Sequence, residues 1–291
     1  MAYTTINKSG SFFNTKLYTG NGGTQSVTGV GFQPDWCWIK RRNGTASHEA
    51  YDAVRGTGKV IYPDASDAQV THGTSYFNSF DSDGFSFLAG NSGLNGNSDT
   101  YAAWNWKAGT TGSGTTTGTG TGKAYSYSVN TTAGFSIVKY LGNGNAGQQI
   151  PHHLGAVPHF IILKPLDRND NWRVYHHKQD DSSPANYQLK LNSTNARDSG
   201  SDVWNDTIPT STYFTLGSNA GVVANDEEFI AYCFTEKVGY SKFGSYLGNG
   251  QNAGTFVYTG FKPQLIIQKP LAVTQNWQIH DTKRPGYNVK N

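Results

Sequence analysis

Apolar positions follow one pattern at three places along the chain. The runs are PDWCWIK at residues 34–40, PHFIILK at 158–164 and PQLIIQK at 263–269, each bracketed by a proline and a lysine at the same spacing. A short apolar run with turn residues beside it is typical of a buried β-strand. Because the same unit is written three times, the pattern predicts an internally repeated protein.

A second strand is predicted shortly after each of these runs. The segments HEAYD, WRVYH and WQIHD begin at His48, Trp172 and Trp277, and a polar turn separates each from its run. Their alternation predicts a hairpin with the first strand. Copies one and two also contain a later aromatic segment, YAAWNW and FIAYCF. Aligning Ala103 with Ala231 predicts a late strand of the same sheet.

The repeats divide the chain into domains. Residues 1–108 form repeat one and residues 125–238 form repeat two; residues 109–124 between them contain GTTGSGTTTGTGTG. Such a composition predicts a flexible tether, because it cannot bury apolar surface. Repeat three, residues 239–291, lacks a late strand, and we expect further residues of the same polypeptide to complete it. Strands of a neighbouring subunit, or packing against repeat two across the short GYSKFG joint, are the alternatives.

Composition supports an all-β fold. Aromatic residues make up 13% of the chain, and Gly, Ser, Thr and Asn are abundant, which favours short strands and many turns. We therefore expect tandem β-sandwich domains with jelly-roll-like topology. Charged residues are 15% and the net charge is +3 without a dense basic cluster, so we expect no nucleic-acid partner. The chain shows no signal peptide and no apolar stretch long enough for membrane insertion. Cys37 and Cys233 lie in apolar runs and are expected to be buried free thiols.

The repeat motifs resemble a known class of proteins. FQPDWCWIKRRNGT, FDSDGFSF, YAAWNWKAG, TAGFSIVKY and FVYTGFKPQLIIQK are similar to segments of tandem-repeat, tail-fibre-like virion structural proteins of marine tailed phages. We expect the chain on the tail rather than the capsid, where it presents host-binding loops, and the resemblance implies a component of the exposed virion surface. It implies other virion proteins as partners, a homo-oligomer such as a trimer, and a host-surface glycan as ligand. A capsid decoration or head-fibre protein is the alternative, and a glycan-cleaving tailspike enzyme is a third.

Two carboxylate pairs are the candidates for enzymatic chemistry. Glu49 and Asp52 lie in repeat one, and Asp226 and Glu227 lie in repeat two. Glycoside hydrolysis uses two carboxyl groups. Repeat two has Arg173 and His176 where repeat one has Glu49 and Asp52, and nothing in the sequence fixes a catalytic pair, so we expect no catalytic residues and no enzyme.

Histidine pairs and one acidic turn are the candidates for metal binding. The histidine pairs are His152 with His153 and His176 with His177, and neighbours on a strand face opposite sides of the sheet. DSDG at residues 81–84 resembles the start of a calcium loop, but Phe85 follows in place of further ligands, and a β-turn explains it better. We therefore expect neither a metal nor a cofactor.

One tryptophan lies among polar residues and is the candidate for sugar binding. Trp204 stands in the segment SDVWNDTIP, with Asp202, Asn205 and Asp206 beside it. An exposed aromatic ring could stack on a sugar while these polar groups bond its hydroxyls. The alternative is a loop tryptophan that folds back over the end of the sandwich.

Overall fold

A computed structural model describes residues 4–72, 76–88 and 91–284, and this part of the chain is almost entirely β-structure. The strands of repeat one are β1 (Phe13–Thr19), β2 (Gln25–Thr28), β3 (Trp36–Arg41), β4 (Glu49–Asp52), β5 (Lys59–Val60), β6 (Val70–Thr71), β7 (Phe77–Asp81), β8 (Gly84–Phe87) and β9 (Thr100–Trp106). The next strands are β10 (Thr110–Thr115), β11 (Thr117–Gly118), β12 (Ala124–Asn130), β13 (Phe135–Leu141), β14 (Gln148–Pro151), β15 (Phe160–Pro165), β16 (Arg173–His176), β17 (Tyr187–Lys190), β18 (Asp198–Ser199), β19 (Tyr213–Thr215) and β20 (Glu228–Phe234). Repeat three contributes β21 (Leu265–Gln268) and β22 (Gln278–Asp281).

Helical structure is limited to short turns. The helices are α1 (Ser92–Asn95), α2 (Ser201–Trp204) and α3 (Ala220–Val223), with 3-10 turns at Ser9–Ser11 and Pro184–Asn186. None of the helices in the described ranges is long and apolar enough to cross a membrane.

Repeats one and two have the same sheet order. The large sheet of repeat one runs β1-β9-β3-β4, and the matching part of repeat two runs β13-β20-β15-β16. Small sheets, β2-β8-β7 and β11-β14-β19, form the second layers. Ile39 pairs with Ala103 and Leu163 with Ala231, so the predicted hairpins and late strands are confirmed with their register.

The predicted tether between the repeats is wrong, because most of it is strand. β10 pairs along its whole length with β12, and β11 pairs with β14, so the segment edges both sheets of repeat two. The rings of Tyr127 and Tyr125 lie across Gly112 and Gly114, and a Cβ at either glycine would lie within 2.7 Å of a tyrosine hydroxyl oxygen. The glycines therefore make room for aromatic side chains of the neighbouring strand, a known way of stabilising glycine-rich edge strands.

Each large sheet is buried on both faces, which explains the uninterrupted apolar runs. In β3, Cys37 and Ile39 face the small sheet of the same repeat, whereas Trp36 and Trp38 face the other repeats. One shared apolar cluster, the central cluster, collects the outward faces of both large sheets. Its members include Trp36, Trp38, Trp104, Trp106, Phe135, Ile137, Phe160, Ile162, Trp172, Val174, Ile230 and Tyr232.

The described residues of repeat three add one hairpin to this arrangement. β21 and β22 pair with each other as predicted, and Leu265, Trp277 and Ile279 pack against the central cluster. Within the described ranges β21 has no second neighbour, so this sheet has two strands.

Candidate functional site

The tryptophan expected to stack on a sugar is buried. Trp204 is 1% exposed, and its ring meets Tyr175 at 5.8 Å and Phe214 at 6.5 Å, both edge to face. The sugar-stacking prediction is therefore wrong for this side chain, and the loop tryptophan folds back into the sandwich core.

The polar neighbours of Trp204 have structural positions. Asp202 Oδ2 accepts a hydrogen bond of 2.6 Å from Asn219, across the end of the sandwich. Asn205 and Asp206 have left-handed backbone angles of φ 54° and 48°. Asn205 ends α2 in that conformation, which asparagine tolerates better than most residues. These residues shape a turn, and the aromatic partner of the predicted sugar site lies beneath them.

The two carboxyl groups of repeat one do not face each other. Strand β4 puts Glu49 on the side of Tyr51, whose hydroxyl donates to Glu49 Oε2 at 2.6 Å. Asp52 faces the central cluster, where Arg55 Nε donates to it at 2.5 Å. Burial raises the pKa of Glu49 from its ordinary 4.5 to about 7. The carboxylates therefore work in separate environments on opposite faces of one strand.

The carboxylates of repeat two are engaged in surface ion pairs. Asp226 pairs with Lys123 at 2.5 Å, and Glu227 pairs with the guanidinium of Arg168. The hydrogen bond from Lys123 is the main cause that lowers the pKa of Asp226. Both groups thus fasten neighbouring segments of repeat two.

The DSDG segment forms the turn between β7 and β8. Asp83 accepts hydrogen bonds from the backbone N–H groups of Gly29, at 2.9 Å, and Gly31, at 2.6 Å. These two bonds are the main cause that lowers the pKa of Asp83. The carboxylate therefore ties the turn to the segment after β2, as the β-turn interpretation requires.

Two histidines and a glutamate of repeat two come together, although the sequence paired the histidines differently. Ligand atoms of His159, His177 and Glu236 lie within 4.8 Å of one another. His159 Nδ1 accepts a hydrogen bond from the Glu236 backbone N–H at 3.1 Å, which leaves the proton of the neutral ring on Nε2. Burial lowers the pKa of His159, which favours this neutral form. A cation would have to displace that proton.

The remaining bonds of this cluster hold the joint to repeat three. Glu236 accepts from the backbone N–H of Phe243 at 2.9 Å and from Lys242 at 3.0 Å. His177 Nε2 lies 2.9 Å from the Phe243 carbonyl oxygen and donates to it. The cluster is thus a clamp on residues 242–243, and its proton placement opposes a metal ion.

The contact of repeat two with repeat one recurs between repeats three and two. The lysine at the end of the apolar run makes the first hydrogen bond of this contact. Lys164 Nζ donates to Ser66 O of repeat one at 3.2 Å, and Lys269 Nζ donates to Thr194 O of repeat two at 3.0 Å. Burial lowers the pKa of Lys164 to about 8. In repeats two and three the lysine that ends the apolar run is therefore an inter-repeat donor, whereas Lys40 donates to Ala46 O of its own repeat.

The tryptophan that opens the second hairpin strand repeats the same relation. Trp172 Nε1 donates to Tyr62 O at 2.9 Å, and Trp277 Nε1 donates to Lys190 O at 2.8 Å. Backbone bonds follow in the same register at both contacts: Gln69 N to Leu166 O, Asp170 N to Ser66 O, Arg197 N to Leu271 O and Gln275 N to Thr194 O. Repeat two therefore docks on repeat one in the same way as repeat three docks on repeat two.

The residue that ends the second hairpin strand provides the other half of the contact. We call Asp52, His176 and Asp281 the socket residues. The late-strand Tyr232 of repeat two donates its hydroxyl proton to Asp52 at 2.7 Å, and the late-strand Trp104 of repeat one donates to Asp281 at 3.1 Å. Repeat two thus contacts repeat one, and repeat one contacts repeat three, by equivalent positions.

An arginine completes two of the three sockets. Arg55 Nε and Arg284 Nε donate at 2.5 Å to Asp52 and Asp281, each three residues earlier. The side chains of Asp52 and Arg55 are both 0% exposed, whereas Arg284 is 28% exposed. The D-x-x-R spacing in YDAVR and HDTKR was the sequence signal for these sockets.

Comparison with known families covers this whole arrangement. A family model described as Domain of unknown function (DUF7483) matches residues 8–291. The chain belongs to this family. The DUF7483 match runs through all three repeats, so both docking contacts lie within one family region. Comparisons with curated proteins and with solved structures found no match.

Proposed function

We propose that this DUF7483 chain is a non-enzymatic structural component of a virion, a tail fibre or fibre-like protein that presents host-binding loops at the exposed surface. The observation that carries the structural role is the repeated docking contact. A buried apolar cluster joins the repeats, and the Tyr232 hydroxyl of repeat two donates to the fully buried Asp52–Arg55 pair of repeat one. The sandwiches therefore form a stiff support instead of independent domains.

The state of the candidate chemical groups supports the same role. Glu49 and Asp52 face opposite sides of β4, and Asp226 and Glu227 are held by Lys123 and Arg168. Each carboxylate thus has a partner that explains its presence in the fold. An enzyme needs acids and bases that converge on one substrate position.

Exposed turns on the sandwiches are the candidate binding elements. Residues 21–25, 117–122 and 181–183 are largely exposed and consist mainly of Gly, Asn, Thr and Ser with Asp181. Hydroxyl, amide and carboxylate groups of this kind bond sugar hydroxyls, and a rigid scaffold holds such loops in place. The virion location rests on the resemblance of the repeat motifs to tail-fibre-like proteins.

Labelling of particles tests this proposal. Antibody raised against the whole chain is bound to virions purified from the source culture and imaged with gold, and copies per particle are counted by quantitative mass spectrometry. We expect label at the tail and a small number of copies. Label over the capsid with hundreds of copies would favour the decoration protein, and particles free of the chain would refute a virion role.

A sugar-release assay tests the enzymatic alternative. The chain and its Glu49→Gln variant are incubated with host envelope polysaccharide, and reducing ends are measured. We expect no release from either protein. Release that depends on Glu49 would refute the non-enzymatic role.

A further inference from the structure

In the part of the chain that the structure describes, the outer edge of β21 has no neighbouring strand, unlike its two counterparts. β3 and β15 are each flanked on one side by a second hairpin strand and on the other by a late strand, β9 or β20. β21 is flanked by β22 alone within the described ranges. An unpaired edge presents a row of backbone donors and acceptors that can pair with an added strand.

Repeat three also exposes several large apolar side chains. Leu247 is 89% exposed, Phe256 86% and Tyr258 76%, and Ile266 of β21 is 47% exposed, although its counterpart Ile161 is buried. In repeats one and two the late strand lies between the first strand and the apolar run. Ile266 thus lies exposed on the strand that has no late-strand neighbour among the described residues.

Among the described residues, the socket of repeat two likewise has no late-strand partner. Tyr232 fills the socket of Asp52 and Trp104 fills that of Asp281. The late strand of repeat two thus fills the socket of repeat one, and the late strand of repeat one fills the socket of repeat three. By the same order, a late strand of repeat three would place its aromatic residue at His176 of repeat two. His176 Nε2 has no hydrogen-bond partner among the described residues, while Nδ1 accepts from the Lys178 backbone N–H at 3.0 Å.

The chemistry of this third socket differs from the other two. Because Nδ1 is an acceptor, the neutral ring carries its proton on Nε2 and donates there. Burial and the neighbouring His177 lower the pKa of His176 to about 4, which keeps the ring neutral at pH 7. Asp52 and Asp281 accept, so they take a hydroxyl or indole N–H. His176 donates and needs an oxygen such as that of tyrosine.

We propose that the outer edge of β21 and the His176 socket form one docking site for an added antiparallel strand with the apolar pattern of β20. In the register of the other repeats, an apolar residue lies opposite Leu265 and a tyrosine opposite Ile267, from where its hydroxyl oxygen accepts from His176 Nε2. The added strand then makes the third socket contact, between repeats three and two, beside the existing contacts of repeat two with repeat one and of repeat one with repeat three.

Binding of a peptide to the full 291-residue chain tests the site. The probe is a labelled peptide with the sequence of residues 226–236, DEEFIAYCFTE, in which serine replaces the cysteine. Fluorescence anisotropy measures affinity, and amide hydrogen exchange locates binding. We expect saturable binding with new protection at Leu265–Gln268. A scrambled peptide of the same composition is the control.

Exchange of the socket partners tests the donor assignment. On the native chain, a peptide with phenylalanine or tryptophan in place of the tyrosine should bind about fivefold more weakly, the usual effect of one lost hydrogen bond. His176→Asp should bind the tyrosine and tryptophan peptides about equally, because a carboxylate accepts from a hydroxyl, as Asp52 does, and from an indole N–H, as Asp281 does. His176→Phe should abolish the tyrosine preference, while His280→Phe, on the exposed face of β22, should leave it unchanged.

Three outcomes overturn the proposal. The first is the absence of binding, or equal binding of the scrambled peptide. The second is protection elsewhere in the chain. The third is a dimer of the chain that already protects the β21 amides without peptide, measured by sedimentation, because a second copy would then occupy the edge.

Discussion

Removal of Asp52 should lower the free energy of unfolding, because it leaves a buried charge without its partner at the contact between repeats one and two. Asp52→Ala leaves the guanidinium of Arg55 without its counter-ion, and both side chains are 0% exposed. Breaking a buried ion pair by removing one partner costs about 3 to 5 kcal/mol. The lost bonds from Tyr232 and from the turn N–H groups of Val54 and Arg55 act in the same direction. We therefore expect a loss in the free energy of unfolding at the upper end of this range.

Asp281→Ala is the matched control for this variant. Asp281 holds Arg284 with the same spacing and the same 2.5 Å bond, but Arg284 is 28% exposed and can recover water contacts. We expect this variant to lose about 1 to 2 kcal/mol. The difference between the two variants isolates burial, since the residue type and the bonding pattern are shared.

Urea denaturation followed by tryptophan fluorescence measures both variants. A third protein, Asp52→Ala with Arg55→Met, removes the stranded charge and should recover a large part of the loss, because an apolar replacement of a buried pair is often neutral. Equal losses for Asp52→Ala and Asp281→Ala would refute the argument from burial. A double variant less stable than Asp52→Ala would refute the argument from the stranded charge.

Three other predictions test single side chains. Glu49 has a pKa of about 7 in the folded protein and 4.5 ordinarily, so its contribution to the free energy of unfolding is full below about pH 4.5 and is lost as the pH rises through about 7. In the native chain this loss amounts to about 3 kcal/mol. Glu49→Gln should remove that pH dependence, which denaturation at about pH 5 and about pH 8 measures. Gly114→Val should lower the free energy of unfolding by about 1 to 3 kcal/mol because the new side chain collides with Tyr125, whereas Ser113→Val on the same strand should change it little. Equal melting temperatures of the two variants would instead support a flexible tether. Trp204→Ala should cost about 3 to 5 kcal/mol as a core truncation, and a fully stable variant would show that its ring is not core.

The strands and their partners could be predicted because they depend on local patterns. A run such as PHFIILK has the length and the flanking turn residues of a buried strand, and the polar turn after it predicts a hairpin. The register of the late strands followed from one alignment, Ala103 with Ala231, since a shift by one residue would turn every side chain to the wrong face.

The tether and the sugar site could not be predicted because the deciding residues are distant in sequence. Gly112 and Gly114 look flexible until Tyr127 and Tyr125 of the next strand cover them. Trp204 has polar neighbours, but residues two apart on a helix face different sides, so α2 exposes Asp202 while it buries the indole. Composition describes a segment alone, whereas its structure is set by what packs against it.

The apolar runs themselves indicate the contact between repeats. A sandwich with one wet face would alternate apolar and polar residues, as antiparallel sheets commonly do. In β3 and β15 both sets of alternate residues are apolar, because one set fills the sandwich and the other fills the central cluster. The outward set includes Trp36, whose ring stacks at 4.3 Å on Tyr232 of the next repeat. A sequence with this pattern therefore specifies the sandwich and its docking face together, and neither repeat can be removed without exposing the core of the other.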